Sequence, residues 1–253
     1  MSEVTEYAPG TPSWVDLATT DADAACAFYT ALFGWRGEDQ GEQAGHYVML
    51  RKGDRDVAAL YQAGPGQGPP HWNTYVTVAE VAHSVEKIES LGGTVAMPPF
   101  DVMDAGRMAV VQDATGGMVS LWEPRRQIGS GLVNEPGTLC WYELITSDRE
   151  RAATFYGGLF GWSSRTHQMG AMAYTEFLNG DRPVAGMMEM QGIPSHWEVY
   201  FAVEDTDAAL ARATQLGGFV VRPPMEILFG RMAAVSDPQG AVFSVMTLAA
   251  RSG

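Results

Sequence analysis

The chain carries the same sequence pattern twice, and this internal repeat constrains its fold more than any other feature. Residues 9–35 read PGTPSWVDLATTDADAACAFYTALFGW and residues 136–162 read PGTLCWYELITSDRERAATFYGGLFGW, so 14 of 27 positions are identical. The offset between the copies falls from 127 residues here to 124 at the matched segments that begin at Gly106 and Gly230. Two copies are too few for a solenoid. The repeat therefore predicts two similar modules, residues 1–127 and 128–253, joined by a polar, Gly-rich segment.

Within each copy, the spacing of apolar residues predicts two βαβββ units. In the first copy a strand pattern at 14–18 is followed by Thr20 and Asp21, either of which is a suitable helix N-cap, and then by Gly34, a suitable helix stop. Apolar runs on either side of residues 52–55 predict a hairpin, and apolar spacing from Val81 to Ile88 predicts a second helix. The predicted fold is α+β: in each of the two tandem modules a pair of βαβββ units forms curved mixed sheets around a cavity, with the helices outside.

Charge and composition limit the classes of partner. The chain has 16 Lys and Arg against 30 Asp and Glu, a net charge of −14, which disfavours binding to nucleic acids or to anionic membranes. It has no apolar run long enough to span a bilayer and no signal-peptide pattern, so we expect a cytoplasmic protein. Cys26 and Cys140 are too few for a disulfide framework. The expected partner is a small molecule, and the expected assembly is a monomer or a homodimer.

Taken together, the motifs resemble the vicinal oxygen chelate superfamily, which includes glyoxalase I, extradiol dioxygenases and the fosfomycin- and bleomycin-resistance proteins. The motifs concerned are an Asp-capped helix ending in FYxxLFGW, an LGG turn, and a GRMAxxxDxxG segment before the last strand. The resemblance covers almost the whole chain and is nearest to two-module actinobacterial proteins described as glyoxalase-like or as hydroxylases. It implies the fold but not the reaction, because this scaffold hosts lyases, isomerases, dioxygenases and pure binders.

The resemblance also implies where metal ligands would lie. These positions hold Trp14, Asn73 and Ser120 in the first module, and Trp141, Glu198 and Ser244 in the second. A fourth position falls near residues 58–60 and 187–189. Because an indole N–H only donates hydrogen bonds, and neither module offers two histidines and a carboxylate, we expect no metal cofactor. The alternative is a divalent metal held by His71, His196, Glu198 and Glu189.

Asp16, Glu143 and Glu198 are the candidate catalytic residues. Trp14 and Asp16 lie two apart on one predicted strand and therefore share a face, as do Trp141 and Glu143. A carboxylate beside indole in an apolar cavity has a raised pKa and can serve as a general acid or base. The other interpretation is that these carboxylates are structural. Glu198 breaks the repeat, since its counterpart is Asn73, and this marks either the module that performs chemistry or simple drift.

A second group of residues is expected to contact the ligand. It comprises Trp14, Trp141, His71, His196, Asn73, Tyr75, Tyr200, Trp122, Ser120, Ser244, Arg107 and Arg231. The two arginines either pair with an anionic ligand group or clamp a neighbouring loop, and the two histidines either serve the pocket or lie at loop edges. Met187 is expected to line a cavity, and His46, His83 and His167 are expected at the surface.

The leading hypothesis is a metal-independent protein that binds an apolar aromatic small molecule, such as a natural-product intermediate. The expected transformation is an isomerisation, hydration, cyclisation or hydroxylation-type step. Two alternatives remain open: a drug-binding resistance protein without catalysis, and a metal-dependent glyoxalase-like lyase or dioxygenase. The sequence contains no dinucleotide-binding GxGxxG after a strand, no P-loop and no GxSxG motif.

Overall fold

The computed structural model describes residues 2–66, 68–169, 172–227 and 229–249, and it has one curved sheet for each module. After a short β1 (Ser2–Glu3), the first module contains β2 (Pro12–Thr19), α1 (Ala22–Phe33), β3 (Arg36–Asp39), β4 (Val48–Lys52), β5 (Arg55–Gln62), β6 (His71–Thr77), α2 (Val81–Val85), β7 (Thr94–Val102), β8 (Gly106–Gln112) and β9 (Met118–Pro124). The second contains β10 (Leu132–Val133), β11 (Leu139–Thr146), α3 (Arg149–Phe160), β12 (Ser163–Met169), β13 (Met172–Asn179), β14 (Arg182–Glu189), β15 (His196–Ala202), α4 (Thr206–Gln215), β16 (Phe219–Ile227), β17 (Gly230–Ser236) and β18 (Val242–Leu248). This order confirms the predicted βαβββ units.

Both sheets are mixed and have the same strand order. The first runs β3-β4-β5-β2-β6-β9-β8-β7, and the second runs β12-β13-β14-β11-β15-β18-β17-β16. In each, the first strands of the two units lie antiparallel at the centre, β2 against β6 and β11 against β15. The N-terminal β1 crosses over and pairs with β10 of the second sheet. The boundary placed at residue 127 therefore separates the two main sheets but not this first strand.

The long helices begin and end where their sequences predict. Asp21 accepts a hydrogen bond from the Ala24 amide at the start of α1, and Gly34 ends the helix in the left-handed conformation. The matched Asp148 and Gly161 do the same for α3. The helix predicted from Val81 to Ile88 is shorter than expected, because α2 stops at Val85. Its first turn has no side-chain cap from Glu80, which removes one stabilising contact.

The convex faces of the two sheets pack against each other, with α1 and α3 between them. The ring of Tyr29 in α1 contacts Trp72 of its own sheet and Phe243 of the other, with ring centroids 5.2 and 5.3 Å away. Its hydroxyl donates to Asp237 in the second module, 3.1 Å away. Tyr156 in α3 donates in the same way to Asp113 of the first module, 2.7 Å away. The helices thus lie outside the cavities, as predicted, but enclosed between the sheets.

Other repeated motif residues also join the modules. Trp35 Nε1 donates to the Gly137 carbonyl, and Trp162 Nε1 donates to the Gly10 carbonyl, each at 2.7 Å. A Cβ on Gly93 of the LGG turn would lie 2.6 Å from a ring carbon of Phe155, so only glycine fits there. The FYxxLFGW and LGG repeats therefore build one shared core. Among the described residues, no helix is both long and apolar enough to cross a membrane.

Candidate functional site

The faces opposite the helices are concave, and each carries one carboxylate on its central strand. On β2, Trp14 and Asp16 lie opposite Tyr75 and Asn73 of β6. On β11, Trp141 and Glu143 lie opposite Tyr200 and Glu198 of β15. Directly opposite residues of an antiparallel pair share a face, so the indole, the carboxylate and the tyrosine of each module lie together. This is the arrangement that the two-residue spacing predicts.

In the first module, Asp16 is buried and accepts three hydrogen bonds. Tyr47 and Tyr75 donate to its Oδ2 at 2.9 and 2.8 Å, and Asn73 donates to its Oδ1 at 2.9 Å. Trp14 Nε1 in turn donates to the Tyr47 hydroxyl at 3.2 Å. Burial raises the pKa of Asp16, while these hydrogen bonds act in the opposite direction. The carboxylate of Asp16 is therefore surrounded by uncharged hydrogen-bond donors.

Mostly apolar side chains pack around Asp16 on the rest of this concave face. Trp122 contacts Tyr75, with ring centroids 6.4 Å apart, and its Nε1 donates to the Gln127 carbonyl at 2.8 Å. Met49 and Ala59 belong to the same small apolar cluster. Ser120, on β9 opposite Tyr75, is also buried. The first concave face is thus filled by its own side chains.

In the second module, two carboxylates face each other. Glu143 and Glu198 are directly opposite, and each is about 5% exposed or less. Tyr200 donates to Glu143 Oε1 at 3.2 Å, Ser244 donates to Glu198, and Arg222 Nη2 lies 3.9 Å from Glu198 Oε2. Burial, and then the negative charge of Glu198, raise the pKa of Glu143 to about 7. A carboxyl group with that pKa can accept or donate a proton near neutral pH.

Tyr174 and Gly186 complete this site, and the sequence analysis missed both. Trp141 Nε1 donates to the Tyr174 hydroxyl at 2.9 Å, and that hydroxyl lies close enough to Glu143 to act against the rise of its pKa. Gly186 lies opposite Glu143 on β14, and any Cβ there would collide with the Tyr174 hydroxyl. The missed signal was the repeat itself, because Tyr47 and Tyr174 occupy matched positions before the GDR turns at 53–55 and 180–182.

A charged cluster lies farther along the same face. Glu176 is buried on β13 and accepts hydrogen bonds from Arg165 and His167 on the edge strand β12. Burial acts to raise the pKa of Glu176, but the hydrogen bonds from His167 and Arg165 outweigh it and lower the pKa below its ordinary value. His167 is partly exposed at the edge of the sheet, where surface placement was expected, and its ring is bonded to Glu176.

Aromatic side chains cover the Glu143 site. Phe229, just before β17, contacts Trp141 and Tyr174, with ring centroids 6.1 and 6.2 Å away. Met232 and Met246 form the rest of the apolar wall. A separate cavity of about 540 Å³ lies at the module junction, lined by Val78, His83, Lys87, Phe160 and their neighbours, and none of the paired carboxylates lines it. This cavity is therefore distinct from the site around Glu143.

In the vicinal oxygen chelate superfamily the metal ligands occupy fixed positions, and most of the residues at those positions here are already engaged in other contacts. Trp14 and Trp141 use their only N–H groups as donors to tyrosines. Asn73 points its amide nitrogen at Asp16, and Glu198 is engaged by Ser244. Of the fourth positions, residues 58–60 carry only apolar side chains, and the one carboxylate within 187–189, Glu189, is exposed beside the start of α3. Across the described residues, no group of three or more His, Cys, Asp and Glu side chains is arranged to hold a metal ion.

Alternation places His71 and His196 on the same faces as Asn73 and Glu198, at the starts of β6 and β15, whereas other predicted contacts lie away from the concave faces. His71 and His196 are exposed, and each Nδ1 lies 2.8 Å from the carbonyl of the proline two residues before it. Glu189 is exposed beside the Arg149 amide at the start of α3. Met187 is buried in the core shared by the two modules, because alternation along β14 turns it to the convex face.

Arg107 and Arg231 also point away from the concave faces. Each precedes a methionine, Met108 or Met232, that belongs to a concave cluster, so alternation places the arginine on the other side of its strand. Arg231 is bound by Asp207 of α4 at 2.7 and 3.0 Å and by Glu226 at 2.9 Å. Arg231 is thus a clamp within the fold, the second of the two roles considered for it, whereas among the described residues Arg107 has a single polar contact, of 3.4 Å with Asp101.

The sequence of this chain matches a known superfamily twice. A profile of the Glyoxalase/Bleomycin resistance protein/Dioxygenase superfamily matches residues 11–121 and 138–245. The chain belongs to this superfamily. The chain is 46% identical to the "Putative glyoxylase CFP32" of Mycobacterium tuberculosis, over 97% of this chain and 98% of that protein. It is 35% identical to the "Anthracycline biosynthesis protein DnrV" of Streptomyces peucetius, over 97% and 96% of the two chains.

Solved structures agree on the fold. The Mn(II)-bound glyoxalase from Novosphingobium aromaticivorans has a TM-score of 0.67 and 15% identity, covering 98% of this chain and 83% of that one. The 2,3-dioxygenase LapB from Pseudomonas sp. KL28 has a TM-score of 0.66 and 13% identity, covering 98% and 93%. At these identities the likeness concerns the architecture alone, and function must be argued from the site.

Proposed function

We propose that the second module binds an apolar aromatic small molecule and transfers a proton on it, with Glu143 as the general acid or base. The observation that carries this proposal is the pair Glu143 and Glu198, buried directly opposite each other, with the pKa of Glu143 raised to about 7. Near neutral pH both protonation states of Glu143 are then populated, which is the condition for efficient proton transfer.

The surrounding groups have complementary roles in this proposal. Tyr200 and Tyr174 offer hydroxyl donors beside Glu143, suited to an oxyanion that develops when a ketone enolises. Arg222 and Ser244 hold Glu198, and the negative charge of Glu198 keeps Glu143 from ionising at an ordinary acidic pH. Trp141 and Phe229 offer flat apolar surfaces for an aromatic ring. The reaction class is an isomerisation or cyclisation that starts by moving a proton next to a carbonyl group.

The first module has a different role in this proposal. Asp16 already accepts three hydrogen bonds from neutral donors, and no second carboxylate faces it, because Asn73 occupies that position. We assign it to structure and not to proton transfer. The likeness to proteins named for anthracycline biosynthesis supports a polycyclic aromatic ligand, such as a natural-product intermediate, for the second module.

We also propose that this proton transfer proceeds without a metal, because neither Trp14, Asn73 and Ser120 nor Trp141, Glu198 and Ser244 supply two histidines and a carboxylate at the superfamily's ligand positions. Protein treated with a chelator and then analysed for metal content should contain well below one metal ion per chain and keep its activity. Complete loss of activity on chelation, restored by a divalent metal, would contradict this part of the proposal.

The test uses 1-tetralone, an aromatic ketone with an exchangeable methylene next to its carbonyl group. Proton NMR in D₂O follows the loss of that methylene signal with wild-type protein and with two matched variants, Glu143→Gln and Asp16→Asn. We expect Glu143→Gln to slow the exchange by about a hundredfold or more, and Asp16→Asn to change it by no more than a few fold.

Each other outcome has a definite meaning. Exchange in Glu143→Gln at the wild-type rate would overturn the role of Glu143. Exchange lost only in Asp16→Asn would place the chemistry in the first module. Saturable quenching of tryptophan fluorescence by tetralone without any exchange, in wild type and both variants alike, would favour a binding protein without catalysis.

A further inference from the structure

The edge of the second sheet carries a hydrogen-bonded triad that the proposed reaction has not used. Arg165 donates from Nε and Nη2 to Oε2 of Glu176, at 3.0 and 2.8 Å, and His167 Nε2 lies 2.8 Å from the same oxygen. Glu176 is only 4% exposed, whereas the side chain of His167 is 38% exposed. The triad therefore joins a buried carboxylate to an imidazole that reaches water.

The strand register connects this triad to Glu143. Glu176 lies opposite Gly186, and Gly186 lies opposite Glu143, so all three are in one row on the concave face. In the next row His167 lies opposite Tyr174, whose hydroxyl extends over Gly186, the residue opposite Glu143. Along this row of the described strands, Gly186 and the Tyr174 hydroxyl lie between the edge triad and Glu143.

A buried acid or base needs such a connection. Glu143 is 4% exposed and is enclosed by Tyr200 and by Trp141, which Phe229 covers. Once it has taken a proton from a ligand, Glu143 must return that proton to solvent before it can act again. Imidazole suits this exchange, because its ordinary pKa lies close to neutral pH and its two nitrogens can take up and release protons on opposite sides.

We propose that His167 exchanges protons between solvent and Glu143, through Glu176 and Tyr174. A proton taken up from water at Nδ1 of His167 is matched by release of the Nε2 proton to Glu176. The proton crosses to the Tyr174 hydroxyl, the neighbour of Glu176 on the same face of β13, and that hydroxyl gives its own proton to Glu143. Glu176 and Tyr174 end as they began, His167 ends as the Nδ1–H tautomer, and one proton has moved inward. Exchange of the His167 ring protons with water returns it to the Nε2–H tautomer, and the reverse order of steps moves one proton outward. This relay rests on the proposed role of Glu143.

The first module provides an internal comparison. Its tyrosine is present as Tyr47, but Met49 stands in the place of Glu176 and Ala59 in the place of Gly186. The histidine near its edge strand, His46, is exposed and bonded to Asp39. The apolar Met49 interrupts the row between that edge and Asp16. The relay is therefore present only in the module whose carboxyl group has a pKa of about 7.

The experiment needs no ligand. A light-released proton lowers the pH of the whole protein from about 8 to about 6, across the range where Glu143 titrates, and infrared spectroscopy follows the carbonyl stretch of protonated carboxyl groups. The band absent in Glu143→Gln belongs to Glu143. We expect His167→Ala and His167→Gln to slow the rise of this band by about tenfold or more. Added imidazole should restore the rate in His167→Ala, which a merely structural role would not produce.

Two further variants sharpen the result. Glu176→Met places the residue of the first module at this position and should slow the rise of the Glu143 band as much as the loss of His167. His46→Ala should leave that rate unchanged. A wild-type rate in both His167 variants, with the band still assigned to Glu143, would overturn the relay and leave the proposed function intact. If no band near neutral pH depends on Glu143, then Glu143 does not titrate there, and the proposed function fails together with the relay.

Discussion

Asp16 and Glu143 occupy matched positions in the two copies, yet their surroundings give them different chemistry. Asp16 meets three neutral donors, whereas Glu143 meets a second carboxylate directly across the strand pair. Replacing Glu198 by Gln removes that negative charge, so the pKa of Glu143 should fall by about one unit. Infrared titration of the Glu143 band in the two proteins measures the shift. An unchanged or higher pKa would show that the charge of Glu198 does not govern Glu143.

Stability should also report the protonation state of Glu143. Its pKa is about 7 in the folded chain and 4.5 in an unperturbed one, so the folded state holds its proton more tightly. Stability is therefore lost as pH rises between these two values, by about 3 kcal/mol in total. Glu143→Gln lacks this loss, so its stability relative to wild type should increase from about pH 4.5 to about pH 8. Urea unfolding at both pH values tests this, and a relative stability that falls with pH would contradict it.

The sequence predicted the residues of the site only where alternation along one strand is enough to show which side chains share a face. The two-residue spacing of Trp14 and Asp16 placed them on one face, and the repeat carried this to Trp141 and Glu143. Tyr174, Glu176 and His167 meet through pairing of β12 with β13, and no motif in the sequence marks that register. Arg107 and Arg231 were assigned to the ligand because they are repeated, but repetition does not tell which face of a strand a residue occupies.

Helices α2 and α4 are matched elements with different N-termini. Asp205 caps α4 by accepting from the Ala208 amide at 2.9 Å, whereas Glu80, with almost the same backbone conformation, gives α2 no side-chain cap. Glu80→Asp should therefore stabilise the protein by about 0.5–1 kcal/mol, which raises the melting temperature by about 2 °C. Thermal unfolding measures this change, with Asp205→Ala as the control that should lower stability. A lower melting temperature in Glu80→Asp would contradict the capping argument.

Element boundaries were harder to predict than element order. The apolar spacing of Val81, Val85 and Ile88 continues past the end of α2, since Ile88 packs in the core from the irregular turn that follows. The edge strand β3 was not located by pattern, because all four of its residues are exposed and it has no apolar alternation. Periodicity reports which side chains are buried and not which backbone conformation buries them.

The whole molecule is joined by pairs of equivalent contacts across the modules, so it should unfold as one unit. Tyr156 accepts from Trp197 at 2.9 Å and donates to the buried Asp113 of the other module. Tyr156→Phe leaves both groups without this partner and should cost about 1–3 kcal/mol. Calorimetry should show a single transition at a lower temperature, and Tyr29→Phe should behave alike. Two separate transitions, one for each module, would contradict the shared core.

At this scale the repeat predicted most of the architecture. It gave two modules and four βαβββ units, and the structure has both. It did not predict that the convex faces meet, because Phe28, Tyr29 and Trp35 show the same apolar spacing whether they contact one sheet or two. The contact of Phe33 with Phe201, with ring centroids 5.1 Å apart, belongs to a long-range pairing that has no local sequence signature.

The two tyrosine–aspartate bonds and the two indole–carbonyl bonds between the modules explain which parts of the duplicated sequence still match. Changing one of these residues weakens the contact between the two modules, so the residues of the matched motifs are constrained in both copies. The two concave faces do not contact each other through these bonds and are not constrained in this way. There the two halves differ: an amide, Asn73, stands opposite Asp16 in one, and a second carboxylate, Glu198, stands opposite Glu143 in the other, so a single polypeptide holds two unlike polar centres on one repeated scaffold.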